Sequence, residues 1–145
     1  MREAILGLRA RVGPDKPLGE ALQEYVSEFS IQAGILAEFR GSPKAGGDLQ
    51  GWEQYHLLRI AQEALSNARS HAGARRVAVS LTRSGDRLEL SVIDDGRGFD
   101  PAKCRSGFGL RTMRERAEAL AGTLDMASSP GSGSVIRVRV PAPRG

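Results

Sequence analysis

The sequence predicts a two-layer α/β sandwich, in which a mixed, mostly antiparallel β-sheet carries α-helices on one face. Residues 77–81 and 88–93 are two alternating apolar segments joined through the turn sequence SGD, which is typical of a β-hairpin. Apolar residues alternate again over 135–140, so this strand buries one face and exposes the other. Segments with apolar residues at helical spacing lie between the strands and can cover the buried face.

The length and composition favour one globular domain. The chain has 145 residues, of which 40% are hydrophobic and 26% are charged, and this is the size range of a single domain with its own core. No apolar run approaches the roughly 18 residues that span a bilayer, and the first residues lack the pattern of a secretory signal. We therefore expect a cytoplasmic domain without direct membrane contact. Its single cysteine, Cys104, excludes an internal disulfide.

The charge gives little support to a nucleic-acid partner. The 21 basic residues exceed the 17 acidic ones and give a net charge of +4. The arginines are scattered, however, and they lack the interleaved aromatic residues of a nucleic-acid surface. We expect no nucleic-acid partner and assign these arginines to solvated faces and phosphate contacts.

Turn and loop sequences separate the predicted helices and strands. Residues 2–10 have a short helical pattern that ends at the sequence GPDKP, because glycine and two prolines do not continue a helix. Apolar spacing and turn composition then predict, in order, a helix over 18–33, a strand over 35–39, a loop over 41–51, a helix over 52–71, the hairpin of 77–81 and 88–93, a helix over 110–120, and a last hairpin of 123–127 and 135–140.

A polar stripe marks the second long helix. Glu63, Asn67 and His71 stand at steps of four, which places them along one side of a helix. The Asn67 amide oxygen can ligate a hard cation such as Mg²⁺, and Glu63 can orient that shell or take a proton. The alternatives are a solvated helix face for Glu63 and Asn67, and a C-terminal cap for His71.

Asp94 ends a strand and precedes a turn that carries Gly96 and Gly98. A carboxylate there can accept a hydrogen bond from an exocyclic amine such as that of adenine, and the glycines let a flat ring approach the main chain. The alternative is a plain tight turn, because Asp-Gly pairs are common in turns.

Gly107 and Gly109 stand just before the helix that starts near Leu110. Free backbone amides at a helix start, reached through glycines, can hold phosphate oxygens. The pattern is neither a P-loop nor a dinucleotide-binding fingerprint, and a plain N-terminal cap would explain it as well.

The order of these motifs resembles the ATP-binding fold shared by DNA gyrase, Hsp90, MutL and histidine kinases, the GHKL or Bergerat family. In detail the chain is similar to the catalytic domain of bacterial sensor histidine kinases. The stretch GFGLRTMRERAEALAGTLDMASSPGSGSVIRVRVP at 107–141 is close to the subfamily that pairs with nitrate-type response regulators. The resemblance covers residues 20–141.

The resemblance implies a Mg·ATP site with assigned roles. Asn67 would hold Mg²⁺, Glu63 would act as base or orient water, and Asp94 would bind adenine. The other implied ATP-binding residues are His71, Gly96, Gly98, Gly107, Gly109, Leu110 and Ser134. Two positions depart from the family pattern, since Ser70 replaces a lysine, and Gly133 and Ser134 stand for Gly-Thr.

The resemblance also implies partners outside this chain. The phosphoacceptor histidine would lie on a separate dimerisation domain of the same protein, and a response regulator would receive the phosphoryl group. Residues 1–12 would be the end of the upstream dimerisation helix, and 13–145 the catalytic domain. The isolated domain would be a monomer, and any membrane anchor of the parent kinase would lie elsewhere.

Two other functions stay open at this stage. A serine kinase of the anti-sigma-factor type shares the fold. A nucleotide-sensing module without transferase activity would also use the ATP pocket, and Ser70 together with the missing acceptor histidine is compatible with it.

Overall fold

The fold consists of five strands and three helices within the residues that the computed structural model describes, which are 16–70, 73–97, 109–129 and 131–142. In chain order the elements are α1 (Leu18–Ala33), β1 (Leu36–Arg40), α2 (Gly51–Ser70), β2 (Arg76–Ser84), β3 (Arg87–Asp94), α3 (Leu110–Ala119), β4 (Thr123–Ser128) and β5 (Ser134–Pro141). The helical pattern at 2–10 lies outside the described residues. No helix in the described part of the chain is both long and apolar enough to cross a bilayer.

The sheet is mixed and mostly antiparallel, as the sequence predicts. Its strand order is β1-β2-β3-β5-β4. The edge strand β1 runs parallel to β2, whereas the β2–β3, β3–β5 and β4–β5 pairs are antiparallel. The β2–β3 hairpin is longer than predicted, because pairing continues to Ser84 and Arg87 on either side of the turn.

The core lies between the helices and one face of the sheet. On β3 the inward residues Leu88, Leu90 and Val92 are at most 3% exposed, and they alternate with more exposed neighbours. The α2 helix buries an apolar stripe against them that consists of Leu57, Leu58, Ile60, Ala61, Ala64, Leu65 and Ala68. This burial is the driving force that holds the two layers together.

A buried glutamine joins the first two helices. Pro17 precedes α1 and offers no side-chain cap. The Oε1 atom of Gln54, on α2, accepts the Leu18 backbone N–H at 2.8 Å instead. Its Nε2 donates to the carbonyl of Leu49 at 2.9 Å. Both polar ends of this buried amide are therefore hydrogen-bonded. Its contacts with α1 and with the loop before α2 fix the position at which α2 starts.

The outer face of the sheet carries a cross-strand ion-pair ladder. Glu89 on β3 lies 2.8 Å from Arg137 and 3.1 Å from Arg139, both on β5. Arg139 also reaches Asp125 on β4 at 3.1 Å. These contacts join three strands on the face away from the helices. That face is covered by charged side chains and not by a second layer of helices.

Candidate functional site

Asp94 ends β3 on the helix side of the sheet. Its side chain lies on the same face as buried Val92, two residues earlier. The backbone N–H of Gly96 donates to its Oδ1 at 2.8 Å. Burial raises the pKa of the Asp94 carboxyl; the Gly96 hydrogen bond opposes that rise and the Asp95 carboxylate adds to it. The result is a half-buried, oriented acceptor at the end of a strand.

Asp95 differs from Asp94 in that its carboxylate binds backbone amides, a role that was not predicted from the sequence. Its exposed carboxylate accepts the backbone N–H groups of Arg75 and Arg76, each at 2.9 Å. These hydrogen bonds lower the pKa of the Asp95 carboxyl. They fasten the end of β3 to the start of β2, and thereby fix the point at which the chain turns after Asp94. The acidic pair in the sequence was the only hint, because the two amides lie about 20 positions earlier.

Gly133 and Ser134 lie directly beside Asp94. Ser134 pairs with Asp94 in the register of β3 and β5, is 6% exposed, and has its hydroxyl 3.1 Å from that of Ser128. Gly133 has φ +77°, and a Cβ there would stand 2.4 Å from the Asp94 carbonyl oxygen. Glycine is therefore required for the β5 strand to reach Asp94.

Asn67 and Glu63 occupy the C-terminal half of α2. Asn67 is only 9% exposed, so a solvated helix face does not describe it, whereas Glu63 is half-buried. A buried amide oxygen one helical turn from a carboxylate suits Mg²⁺, which needs few protein ligands and keeps water and phosphate oxygens. Among the described residues, no group of three acidic, histidine or cysteine side chains could hold a metal ion.

Gly109 brings the start of α3 onto Glu63. A Cβ at position 109 would stand 2.5 Å from Glu63 Oε2, and the backbone has φ +65°. The adjacent Leu110 is half-buried and packs against the core. Two motifs that lie 46 positions apart in the sequence therefore meet, and α3 points its N-terminal end toward the Glu63 carboxylate.

The described site residues form two groups on one layer interface. Asp94 and Gly96 are grouped with Ser134 at the end of β3. Glu63 is grouped with Gly109 and Leu110 where α2 meets α3, and Asn67 lies one helical turn beyond Glu63 on α2. The α2 helix packs across β3 and against α3, which connects the groups. The other three predicted residues, His71, Gly98 and Gly107, lie outside the described residues.

Known protein sequences resemble most of this chain. A family model described as "Histidine kinase-, DNA gyrase B-, and HSP90-like ATPase" matches residues 53–144. The sensor histidine kinase LiaS of Bacillus subtilis is 38% identical over 143 residues, which cover 97% of this chain and 39% of LiaS. The chain thus spans about two fifths of the length of the curated relatives that it matches.

Two solved structures share the fold. The histidine kinase domain of the blue-light activated kinase EL346 of Erythrobacter litoralis aligns with a TM-score of 0.70 and 24% identity, covering 96% of this chain and 67% of that one. The ATP binding domain of PrrB from Mycobacterium tuberculosis aligns with a TM-score of 0.64 and 22% identity, covering 85% and 95%. At these identities the likeness concerns the architecture, and it confirms the predicted two-layer α/β sandwich.

Proposed function

The chain belongs to the family of histidine kinase-, DNA gyrase B- and HSP90-like ATPases, and from this we propose that it is the Mg·ATP-binding catalytic domain of a sensor histidine kinase. It presents the γ-phosphoryl group of ATP to a histidine on a separate dimerisation domain of the same protein. A response regulator is the expected final acceptor. The finer assignment to kinases with nitrate-type regulators stays a prediction.

The geometry of Asp94 carries this proposal. Gly96 orients its carboxylate at 2.8 Å, and the Asp94 backbone lies next to Gly133 and pairs with Ser134, the first residue of β5. A fixed, half-buried acceptor beside bare backbone suits the exocyclic amine and flat face of adenine. The hydroxyl of Ser134 is a further polar group beside the base. Gly96, and Gly98 after it in the sequence, would let the ring approach the main chain.

The phosphates would lie toward α2 and α3. Asn67 would hold Mg²⁺ through its amide oxygen, and the ion when bound would neutralise phosphate charge. Backbone amides at Gly109 and Leu110, with Gly107 before them in the sequence, would contact the phosphate oxygens. His71, which follows α2 in the sequence, would add a further contact. Glu63 would act as a base that accepts the proton of the incoming histidine, or it would orient water. Phosphoryl transfer needs mainly positioning and charge neutralisation, so no covalent nucleophile in this chain is required.

The remaining assignments extend the same proposal. Residues 1–12 would be the end of the dimerisation helix and 13–145 the catalytic domain, which by itself would be monomeric. The serine-kinase and sensing-module alternatives are not favoured, because the curated relatives include the sensor histidine kinase LiaS and the sensor protein VraS.

Isothermal titration with ATP and Mg²⁺ tests the adenine contact. Asp94→Asn should weaken ATP binding by about 10- to 100-fold, because a hydrogen bond to a charged acceptor contributes ~1.5–3 kcal/mol. Asp86→Asn, the same chemical change at an exposed turn, should bind as the unaltered chain does. Equal affinity for ATP in Asp94→Asn and Asp86→Asn would refute the assignment.

Phosphate transfer tests the kinase itself. The chain should move label from the γ-position of ATP to a histidine on a supplied dimerisation domain, and not to a serine substrate. Glu63→Gln should keep ATP binding and lose transfer. A chain that binds ATP without phosphorylating the supplied domain would instead be a sensing module.

A further inference from the structure

A row of three polar residues crosses the sheet at the end that carries Asp94. Asp94 on β3 pairs with Ser134 on β5, and Ser134 pairs with Ser128 on β4. Residues that pair directly across antiparallel strands project from the same face, with Cβ atoms about 4.5–5.5 Å apart. The three side chains therefore lie side by side on the helix face of the sheet, beside the proposed position of the adenine base.

The contacts of the two serine hydroxyls assign their protons. Oγ of Ser128 lies 3.0 Å from the carbonyl oxygen of Gly133 and 3.1 Å from Oγ of Ser134. Because a carbonyl oxygen only accepts, Ser128 donates its single proton there, and Ser134 must then be the donor to Ser128. Any further partner of Ser128 leaves this assignment unchanged, because its hydroxyl has no second proton to give.

Ser134 consequently presents oxygen lone pairs to the space beside Asp94. Its proton is directed away, toward β4, and the residue is only 6% exposed, so the hydrogen bond to Ser128 is shielded from water. The ionised Asp94 carboxylate also only accepts, and it already takes the Gly96 N–H at 2.8 Å. These two side chains thus offer acceptors to a nucleobase, and neither offers a donor.

Two acceptors suit a purine that has an amino group at position 6. The exocyclic amine of adenine has two protons, whereas hypoxanthine has a carbonyl oxygen at the same position. That oxygen would face the lone pairs of Ser134 without a hydrogen bond, which is costly in a half-buried site. If the Ser134 proton were released from Ser128, it could turn to the carbonyl oxygen and remove this cost.

We propose that Ser128 is a positioning residue for nucleobase specificity, which holds the Ser134 hydroxyl as an acceptor so that the site selects 6-amino over 6-oxo purine nucleotides. The inference rests on the proposed ATP-binding function, because it concerns the base end of the same pocket. Ser128 acts through Ser134 and need not touch the nucleotide itself.

The ratio of the Kd values for inosine triphosphate (ITP) and ATP, each titrated with Mg²⁺ in a calorimeter, measures this selection. The two nucleotides differ only at position 6 of the base and in the proton on N1. Ser128→Ala removes the acceptor for the Ser134 proton, and Ser128→Thr keeps it on a residue type that suits a strand. Ser80→Ala is the matched control, because Ser80 also pairs its hydroxyl with a serine, Ser91, but on the outer face of the sheet.

Ser128→Ala should narrow the ratio of the two Kd values by about 2- to 10-fold, the effect of one neutral hydrogen bond. The change should come mainly from tighter ITP binding, a gain that a loosened fold would not produce. Ser128→Thr and Ser80→Ala should keep the ratio of the unaltered chain. In a Ser134→Ala background, Ser128→Ala should leave the ratio as it is, because the hydroxyl through which Ser128 acts is gone.

Three results would overturn the proposal. The first is an unaltered chain that binds ITP as tightly as ATP. The second is an unchanged ratio in Ser128→Ala, since an equal loss of affinity for both nucleotides would make Ser128 structural only. The third is a Ser134→Ala chain in which Ser128→Ala still shifts the ratio. An unaltered chain that binds neither nucleotide defeats the proposed function, and this inference with it.

Discussion

The backbone of Gly109 lies against the side chain of Glu63, so closely that a Cβ at position 109 would stand 2.5 Å from Glu63 Oε2. The contact joins the start of α3 to the polar side of α2. A carboxylate held at the N-terminal end of a helix also meets the positive end of the helix dipole. The position of the proposed base is thus set by a residue that has no side chain.

Gly109→Ala should impair transfer more than stability. The clashing atoms are the flexible end of Glu63, so the carboxylate can move away, and the unfolding free energy should fall by only ~1 kcal/mol from the left-handed backbone strain. Transfer to a supplied dimerisation domain should drop about tenfold or more, because the carboxylate is displaced. Gly85→Ala is the matched control, since Gly85 has φ +63° and no atom within 4 Å of its added Cβ. Similar transfer rates in the two variants would contradict the displacement.

Gly133→Ala should cost both stability and ATP affinity. Its Cβ would meet the Asp94 carbonyl oxygen at 2.4 Å, and backbone in a paired strand cannot move aside as a side-chain end can. Denaturant unfolding should show a loss of ~2–4 kcal/mol, from strain plus overpacking, and titration should show weaker ATP binding. Gly131→Ala has similar strain, with φ +84°, but open space, and it should lose only ~1 kcal/mol. Equal losses in both would show that the Asp94 contact is unimportant.

Asp94→Asn should stabilise the free protein at neutral pH while it weakens ATP binding. Burial raises the pKa of Asp94 in the folded state, so above that pKa folding must accommodate an ionised, half-buried carboxylate. The Asn variant avoids this cost, and its advantage should shrink as pH falls toward the unfolded-state value of about 3.9. Urea unfolding without nucleotide at several pH values measures the difference. An Asn variant less stable than the unaltered chain at pH 7 would argue against desolvation as the dominant effect.

Asp95→Asn should have the opposite sign. Hydrogen bonds from Arg76 and Arg75 lower the pKa of Asp95 in the folded state. Its stabilising contribution is therefore fully present above the unfolded-state value of about 3.9, and is lost as pH falls through the lowered pKa. The variant should be less stable than the unaltered chain at pH 7, with a difference that diminishes in acid. Asp86→Asn, at an exposed turn, controls for the loss of one surface charge.

Much of the fold could be predicted because its signals are local. Alternation over 135–140 and the SGD turn identified strands, and apolar spacing identified α1 to its last residue. The length of the β2–β3 hairpin was underestimated, because Thr82 and Arg83 are held by pairing with β3 more than by their own pattern. Pairing partners decide such strand ends, and they are not local.

The order of the elements, the polar stripe on α2 and the place of Asp94 at a strand end could be predicted from the sequence, because helix and strand periodicities are patterns of neighbouring residues. Three contacts could be seen only in the folded chain: Gly109 against Glu63, Gly133 against the Asp94 backbone, and the Asp95 carboxylate with amides at the start of β2. Such contacts join residues far apart in the chain, and they arise only when the helix layer packs on a sheet of fixed register.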